Sequence, residues 1–189
     1  MMVAESKGLR GYKDPANPVW VPAVGTVLDV LCGPMSNWID EEALNEGWRC
    51  HAMTANALRS GELLGWTDVP ATLRVFPLCD WLKREGFTPV EVETTHYSKP
   101  YGYAGTLDAI LKRDDGLWIP DWKFAESLDM NRYTVQLTAY GKLIGKVKGL
   151  LLVQVTRAGE VKPKVIHQNP ANWAAFLGAL SVLRWRLAH

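Results

Sequence analysis

The spacing of apolar positions changes along the chain, and the changes divide it into elements. Thr26 to Leu31 is a short apolar run. Asp40 to Glu46 and Trp48 to Ser60 read as helical, with a break near Gly47, and Ala71 to Glu85 reads as a short helix or a strand followed by a helix. Pro89 to His96 alternates valines with Glu91 and Glu93, the period of a strand. Two further strand-like runs, Gly105 to Arg113 and Leu117 to Lys123, are joined through Asp114-Asp115-Gly116, and Asp-Gly favours a tight hairpin because both positions tolerate positive φ. A helix follows from about Asn131 to Lys146, its residues Leu137, Tyr140, Ile144 and Val147 recurring at spacings of three and four. Gly149 to Thr156 is a continuous apolar run, hence a buried strand, and Val161 to Gln168 is a second run beyond a turn. Asn169-Pro170 supplies the N-cap and first turn of a last helix reaching about Leu187. The first 25 residues, with Asp14-Pro15-Ala16-Asn17-Pro18, read as an extended arm. Strands, helix, strands and helix in this order predict a mixed α/β sheet flanked by helices.

The hairpin carries charge where a central sheet should carry none. With Asp115-Gly116 as a two-residue loop, Asp114 pairs with Leu117, Asp108 with Lys123 and Ile110 with Asp121. Strict alternation then projects Asp108, Asp121 and Lys123 from one face, with the two acids diagonal neighbours roughly 7 Å apart. Leu107, Ala109, Leu111, Trp118 and Trp122 form the other, apolar face. A loop one residue longer would turn Asp108 to the wrong face. Two carboxylates and an ammonium on an apolar sheet are costly unless something compensates them. A hard divalent cation does so and brings hydrolytic chemistry: it acidifies bound water, while a lysine orients the nucleophile.

Length and composition set the frame for this site. The 189 residues are 48% hydrophobic and 22% charged, which fits one globular domain rather than a disordered chain. There is no run of apolar residues long enough for a membrane span and no secretory pattern at the start, so the expected location is cytoplasmic. Three dispersed cysteines suggest neither a disulfide framework nor a metal cluster. The net charge of +1 hides a division: Met1 to Ala139 carries −6, and Tyr140 to His189 carries +7. Such asymmetry suits a polyanion-binding face beside a metal-collecting one. Trp118, Trp122, Trp173 and Trp185 fit core faces.

Gly105-Thr106-Leu107-Asp108, Asp121-Trp122-Lys123 and Gln136-Leu137-Thr138-Ala139-Tyr140 together resemble the successive motifs of the PD-(D/E)XK nuclease superfamily. The similarity is to the branch of RecB-like nuclease domains, phage exonucleases and the mitochondrial genome-maintenance exonuclease, and it extends over about Val21 to Tyr140. It implies a restriction-endonuclease-like α/β fold, a mixed central sheet flanked by helices with an N-terminal helical portion. Residues 1–189 would then form a single nuclease domain: an arm over 1–25, a mainly helical portion over 26–88, the catalytic sheet and motif helix over 89–168, and a C-terminal helix over 169–189.

The same resemblance assigns roles. Asp108 and Asp121 match the metal-binding acids, and Lys123 the lysine that positions the attacking water. Gln136 and Tyr140 match the helix motif that supports the site. Glu93 matches an acid on the preceding strand, with Glu91 two residues before it, and His51 matches a metal-binding histidine of the N-terminal helices. Phe124 departs from the Thr or Ser usual after the lysine. The implied cofactor is Mg²⁺ or Mn²⁺ and the implied product a 5′-phosphate. The implied setting is phage or bacterial DNA recombination, repair or genome maintenance, with a single-strand annealing or single-strand-binding protein as partner. DNA contacts are expected from Lys142, Lys146 and Lys148, from basic residues after Arg157, and from the aromatic and basic loop of Lys99, Tyr101 and Tyr103. The competing readings are a structure- or sequence-specific endonuclease on the same fold, and a non-catalytic DNA-binding scaffold.

Overall fold

A computed structural model describes residues 2–14, 17–34, 41–62 and 68–189. Its elements are β1 (Met2–Ser6), β2 (Leu9–Asp14), β3 (Asn17–Pro22), α1 (Val24–Cys32), α2 (Glu41–Ser60), α3 (Val69–Arg84), β4 (Thr88–Ser98), β5 (Tyr103–Arg113), β6 (Gly116–Lys123), α4 (Met130–Ile144), β7 (Gly149–Val155), β8 (Val161–Ile166) and α5 (Pro170–Ala188). A five-stranded sheet in sequential order β4-β5-β6-β7-β8 forms the centre. Only β6 and β7 run parallel, because α4 carries the chain back between them.

Two apolar layers enclose that sheet. Leu107, Ile110, Ile119, Leu150 and Leu152 pack against α1, α4 and α5, and Ala109, Leu111, Trp118, Trp122 and Val153 pack against α2 and α3. Continuous burial on both faces explains why β7 reads as an uninterrupted apolar run. Asn169 caps α5 as expected, accepting from the Ala171 N–H at 2.9 Å.

Several expectations change. The N-terminal arm is no loose extension: β1, β2 and β3 pair antiparallel in a separate sheet. That sheet is tied to the main one by a bridge from Ala23 to Ala104 and a hydrogen bond between Tyr12 Oη and Thr106 Oγ1. Pro15, Ala16 and Asp40 lie outside the described residues. Gly47 does not break α2, whose buried Cys50, Thr54, Ala55 and Ala57 outweigh the roughly 1 kcal/mol helix penalty of a glycine. Ala71 to Arg84 is helix throughout, started by Asp68 accepting from the Ala71 N–H, and Glu85 is its C-cap. Trp185 is 63% exposed rather than a core residue.

The hairpin register also differs. Arg113 pairs with Gly116, Lys112 with Leu117 and Leu111 with Trp118, so the loop is Asp114-Asp115. This shifts the paired positions by two, which preserves the faces of Leu111 and Trp118. Gly105 must be a glycine here: a Cβ would stand 2.7 Å from the Tyr140 ring and 3.1 Å from Val24. Replacing Gly105 by Ala is expected to cost about 1–3 kcal/mol through overpacking, read as a lower urea midpoint with an unchanged slope.

Candidate active site

Besides a register shift between Pro89 and Glu91, alternation along β4 and β5 breaks at Glu93, and the site lies there. Val92 pairs with Ala109 and Thr94 with Leu107, which sets Glu93 across from Asp108. Glu93 has φ +53°, a left-handed conformation unusual for a non-glycine residue, especially within a strand. Below the break, Gly105 and Leu107 face α1 and α4. Beyond it, Ala109 and Leu111 face α2 and α3. Leu107 therefore leaves the face that strict alternation assigns it. Glu91, also displaced, pairs with His96 at 2.7 Å and stays outside the cluster.

Asp108 is held from two sides. Its Oδ2 accepts from the Trp122 N–H at 2.9 Å, bridging the two strands beyond the end of their ladder. Its Oδ1 lies 3.3 Å from His51 Nδ1 on α2. One ligand atom from each of His51, Glu93 and Asp108 lies within 4.8 Å of the others, a donor set suited to a divalent cation. Phe124 sets the His51 ring by an edge-on contact at 5.4 Å, and the guanidinium of Arg74 lies 5.5 Å from the Phe124 ring. The departure after the lysine thus has a structural use.

Asp121 is 2% exposed on the middle strand. Its Oδ1 accepts from Lys123 Nζ at 3.0 Å and from Gln136 Nε2 at 3.3 Å. Its Oδ2 lies 2.8 Å from the same ammonium, but no donor is aligned on it for a hydrogen bond. An orphaned buried carboxylate oxygen beside a His–Glu–Asp cluster fits a cation that would share it. Gln136 also donates to Tyr140 Oη at 3.0 Å, and Lys123 Nζ stands 4.7 Å from the Tyr133 ring centre.

The charges influence one another. Burial, reinforced by Asp108, pushes the Glu93 carboxyl up to about 7. Burial likewise pushes Asp121 up to about 6, despite the opposing pull of Lys123. For Asp108, burial is outweighed by His51, Lys123 and the Trp122 N–H, and its pKa falls. Burial also opposes charge on His51 and Lys123, but Asp108 holds the imidazolium and Asp121 the ammonium, so both are raised.

A cleft of about 870 Å³ opens over the cluster, lined by His51, Glu93, Asp108 and Lys123 and by the cations Arg10, Arg59, Arg74 and Arg157. Arg10 and Arg59 escaped the sequence reading because β2 and α2 approach the site only in the folded chain. The expected DNA contacts fare differently. Lys148 adjoins Leu117 at the start of β6, so Lys146 and Lys148 lie at the far end of the parallel pair, roughly 20 Å of strand from Lys123. Lys142 rests against Trp173 on α5. Tyr103 is buried, its hydroxyl donating to Ala139 O, which removes it from any DNA surface. Tyr101 packs edge-on against Trp173 while Arg184 holds its carbonyl; Lys99 is exposed beside it.

No protein-family model and no curated protein matches the sequence. Solved structures do resemble the fold. An alkaline exonuclease from Laribacter hongkongensis aligns with a TM-score of 0.55 at 13% identity, over 88% of this chain and 87% of that one. The same exonuclease in complex with dAMP gives 0.53 at 12% identity, over 89% and 88%. A candidate exonuclease from Eubacterium rectale gives 0.53 at 13%, over 88% and 79%. The chain therefore shares the mixed α/β fold of these exonuclease structures, a five-stranded sheet flanked by helices.

The raised acids predict a pH signature. A carboxyl with a folded pKa near 7 and an ordinary value of 4.5 stabilises the fold while protonated and loses that contribution as pH rises through the interval. Asp121, raised from 3.8 to about 6, and His51, raised above 6.5, act in the same direction. Metal-free protein is expected to melt at progressively lower temperature from pH 4.5 to 7, with a shallower decline for Glu93→Gln. Mn²⁺ should raise the melting temperature more at pH 7.5 than at 5.5, because protons compete for its ligands. Parallel melting curves for wild type and Glu93→Gln, with and without Mn²⁺, would remove Glu93 from the site.

Proposed function

We propose that this protein is a divalent-metal-dependent deoxyribonuclease that digests DNA from its ends. The observation that carries the reading is the convergence of His51, Glu93, Asp108 and Lys123 on one arginine-lined cleft, with the buried Asp121 paired to Lys123. Asp108, Asp121, Glu93 and His51 would hold Mg²⁺ or Mn²⁺, which supplies Lewis-acid activation of water and charge neutralisation at phosphorus when bound. Lys123, fixed by Asp121 and the Tyr133 ring, presents an ammonium that orients a water and offsets negative charge building on the phosphate. Gln136 and Tyr140 position Asp121 rather than meet the substrate. Arg10, Arg59 and Arg157 line the approach for backbone phosphates.

The exonuclease reading draws support from the neighbours' names. A DNA-recombination setting and a single-strand annealing or single-strand-binding partner follow from the sequence resemblance alone. Wild-type protein is expected to digest end-labelled linear DNA with Mg²⁺ or Mn²⁺ and to leave covalently closed circles intact. Asp121→Ala and Lys123→Ala should each lower the rate by at least a hundredfold. Cleavage of circles would favour an endonuclease, and DNA binding without cleavage under either metal would favour a scaffold.

A further inference from the structure

Trp48 is 62% exposed yet lines the same cleft as the acidic cluster. It lies on α2 three residues before His51, so the two side chains emerge on one face, roughly 5–6 Å apart at Cβ. Among the described residues the indole has no hydrogen-bond or ring partner. Its neighbours in the cleft wall are small or apolar: Ala43, Leu44, Ala52 and Ala55. Arg10 and Arg157 also line the cleft, and Glu46 is engaged by Arg74 at 3.0 Å and approached by Arg157 at 3.9 Å. An open indole one helical turn from a metal-binding cluster, in a cleft that also carries arginines, complements a flat, neutral group attached to an anion.

Resting on the nuclease reading above, we propose that Trp48 is a stacking platform for an unpaired base at the end of the DNA strand. It would hold the terminal nucleotide so that the adjoining phosphate lies over Asp108 and His51. The substrate class is thereby narrowed to strands whose last base is free to leave its partner: single strands, overhangs and frayed ends. A paired terminal base cannot offer both faces to the cleft without unstacking, and the indole replaces the stacking it loses. Trp48 is on this account a specificity-determining residue, not part of the proton or metal chemistry.

The test is equilibrium binding of short fluorescent oligonucleotides with Ca²⁺ replacing Mg²⁺, followed by digestion with Mg²⁺. Trp48→Ala is expected to weaken binding of a single strand by roughly five- to a hundredfold, and Trp48→Phe to retain most of the affinity. An abasic residue placed at each end in turn should, at one end, reproduce the loss in wild type and add nothing further in Trp48→Ala. A closed dumbbell duplex should bind both proteins equally. Equal affinity of wild type and Trp48→Ala for the intact strand would overturn the proposal, as would equal losses on intact and abasic strands. Melting temperatures of both variants check the fold. Unaltered digestion by Trp48→Ala defeats the platform alone. Failure of wild type to digest any DNA defeats the nuclease reading, while base-dependent binding through Trp48 would still stand.

Discussion

A carboxylate shut inside the middle strand of a sheet determines much of what surrounds it. Asp121 occupies a position that β6 would otherwise give to an aliphatic residue, between Ile119 and the end of the strand. Burial alone would favour its neutral form, and its pKa is correspondingly raised. Lys123 offsets part of that cost on the same strand. The lysine in turn requires Asp121 to remain charged in a buried place. Neither residue can be removed alone without leaving a charge uncompensated. Gln136 and Tyr140, one helical turn apart, fix how closely α4 approaches, and Gly105 admits the Tyr140 ring by lacking a side chain.

The second constraint is backbone rather than charge. A left-handed conformation at Glu93 costs of order 1–3 kcal/mol, and the surrounding pairings hold it in place. Had β4 and β5 alternated regularly, Glu91 and His96 would point from opposite faces; they instead form an ion pair. The break lets Asp108 turn toward α2, where His51 waits, while its other oxygen remains with the Trp122 N–H. Cluster and strand irregularity are one feature. Phe124 belongs to it as well, since its ring separates Arg74 from His51 and leaves the histidine facing the acids.

Much of this was legible in the linear order. The hairpin, the helix carrying Gln136 and Tyr140, and the Asn169 cap all depend on neighbours within a few residues, and local pattern reports such neighbours well. The loop was placed one residue too late, yet Leu111, Trp118 and Trp122 kept their side because the resulting error was two positions, a full period of a strand. What failed depended on distant contacts. Lys146 and Lys148 follow the motif helix closely in sequence, but the parallel pairing of β6 with β7 returns the chain to the opposite end of the sheet. Tyr103 stands in an aromatic, basic segment and is nonetheless covered by Phe176 and Ala139. The N-terminal strands escaped notice because Pro, Gly and Asn interrupt the segment, and pairing among its own short strands decided the outcome.

The distribution of charge illustrates the same distinction. Divided by sequence, the chain is acidic until Ala139 and basic afterwards, which suggested that the last fifty residues carry the anion-binding surface. Divided by space, the cleft takes Arg10, Arg59, Arg74 and Lys123 from the acidic part and only Arg157 from the basic part. Several acids of the first part are committed: Asp108 to His51, Asp121 to Lys123, Glu46 to Arg74, Asp68 to Arg49 and Asp29 to Arg132. A committed carboxylate contributes little field, whereas Arg10 and Arg157 border open space. A bound divalent cation would cancel more of the remaining negative charge at the cleft floor, so the surface that meets a polyanion becomes positive from residues whose sequence neighbourhood is acidic.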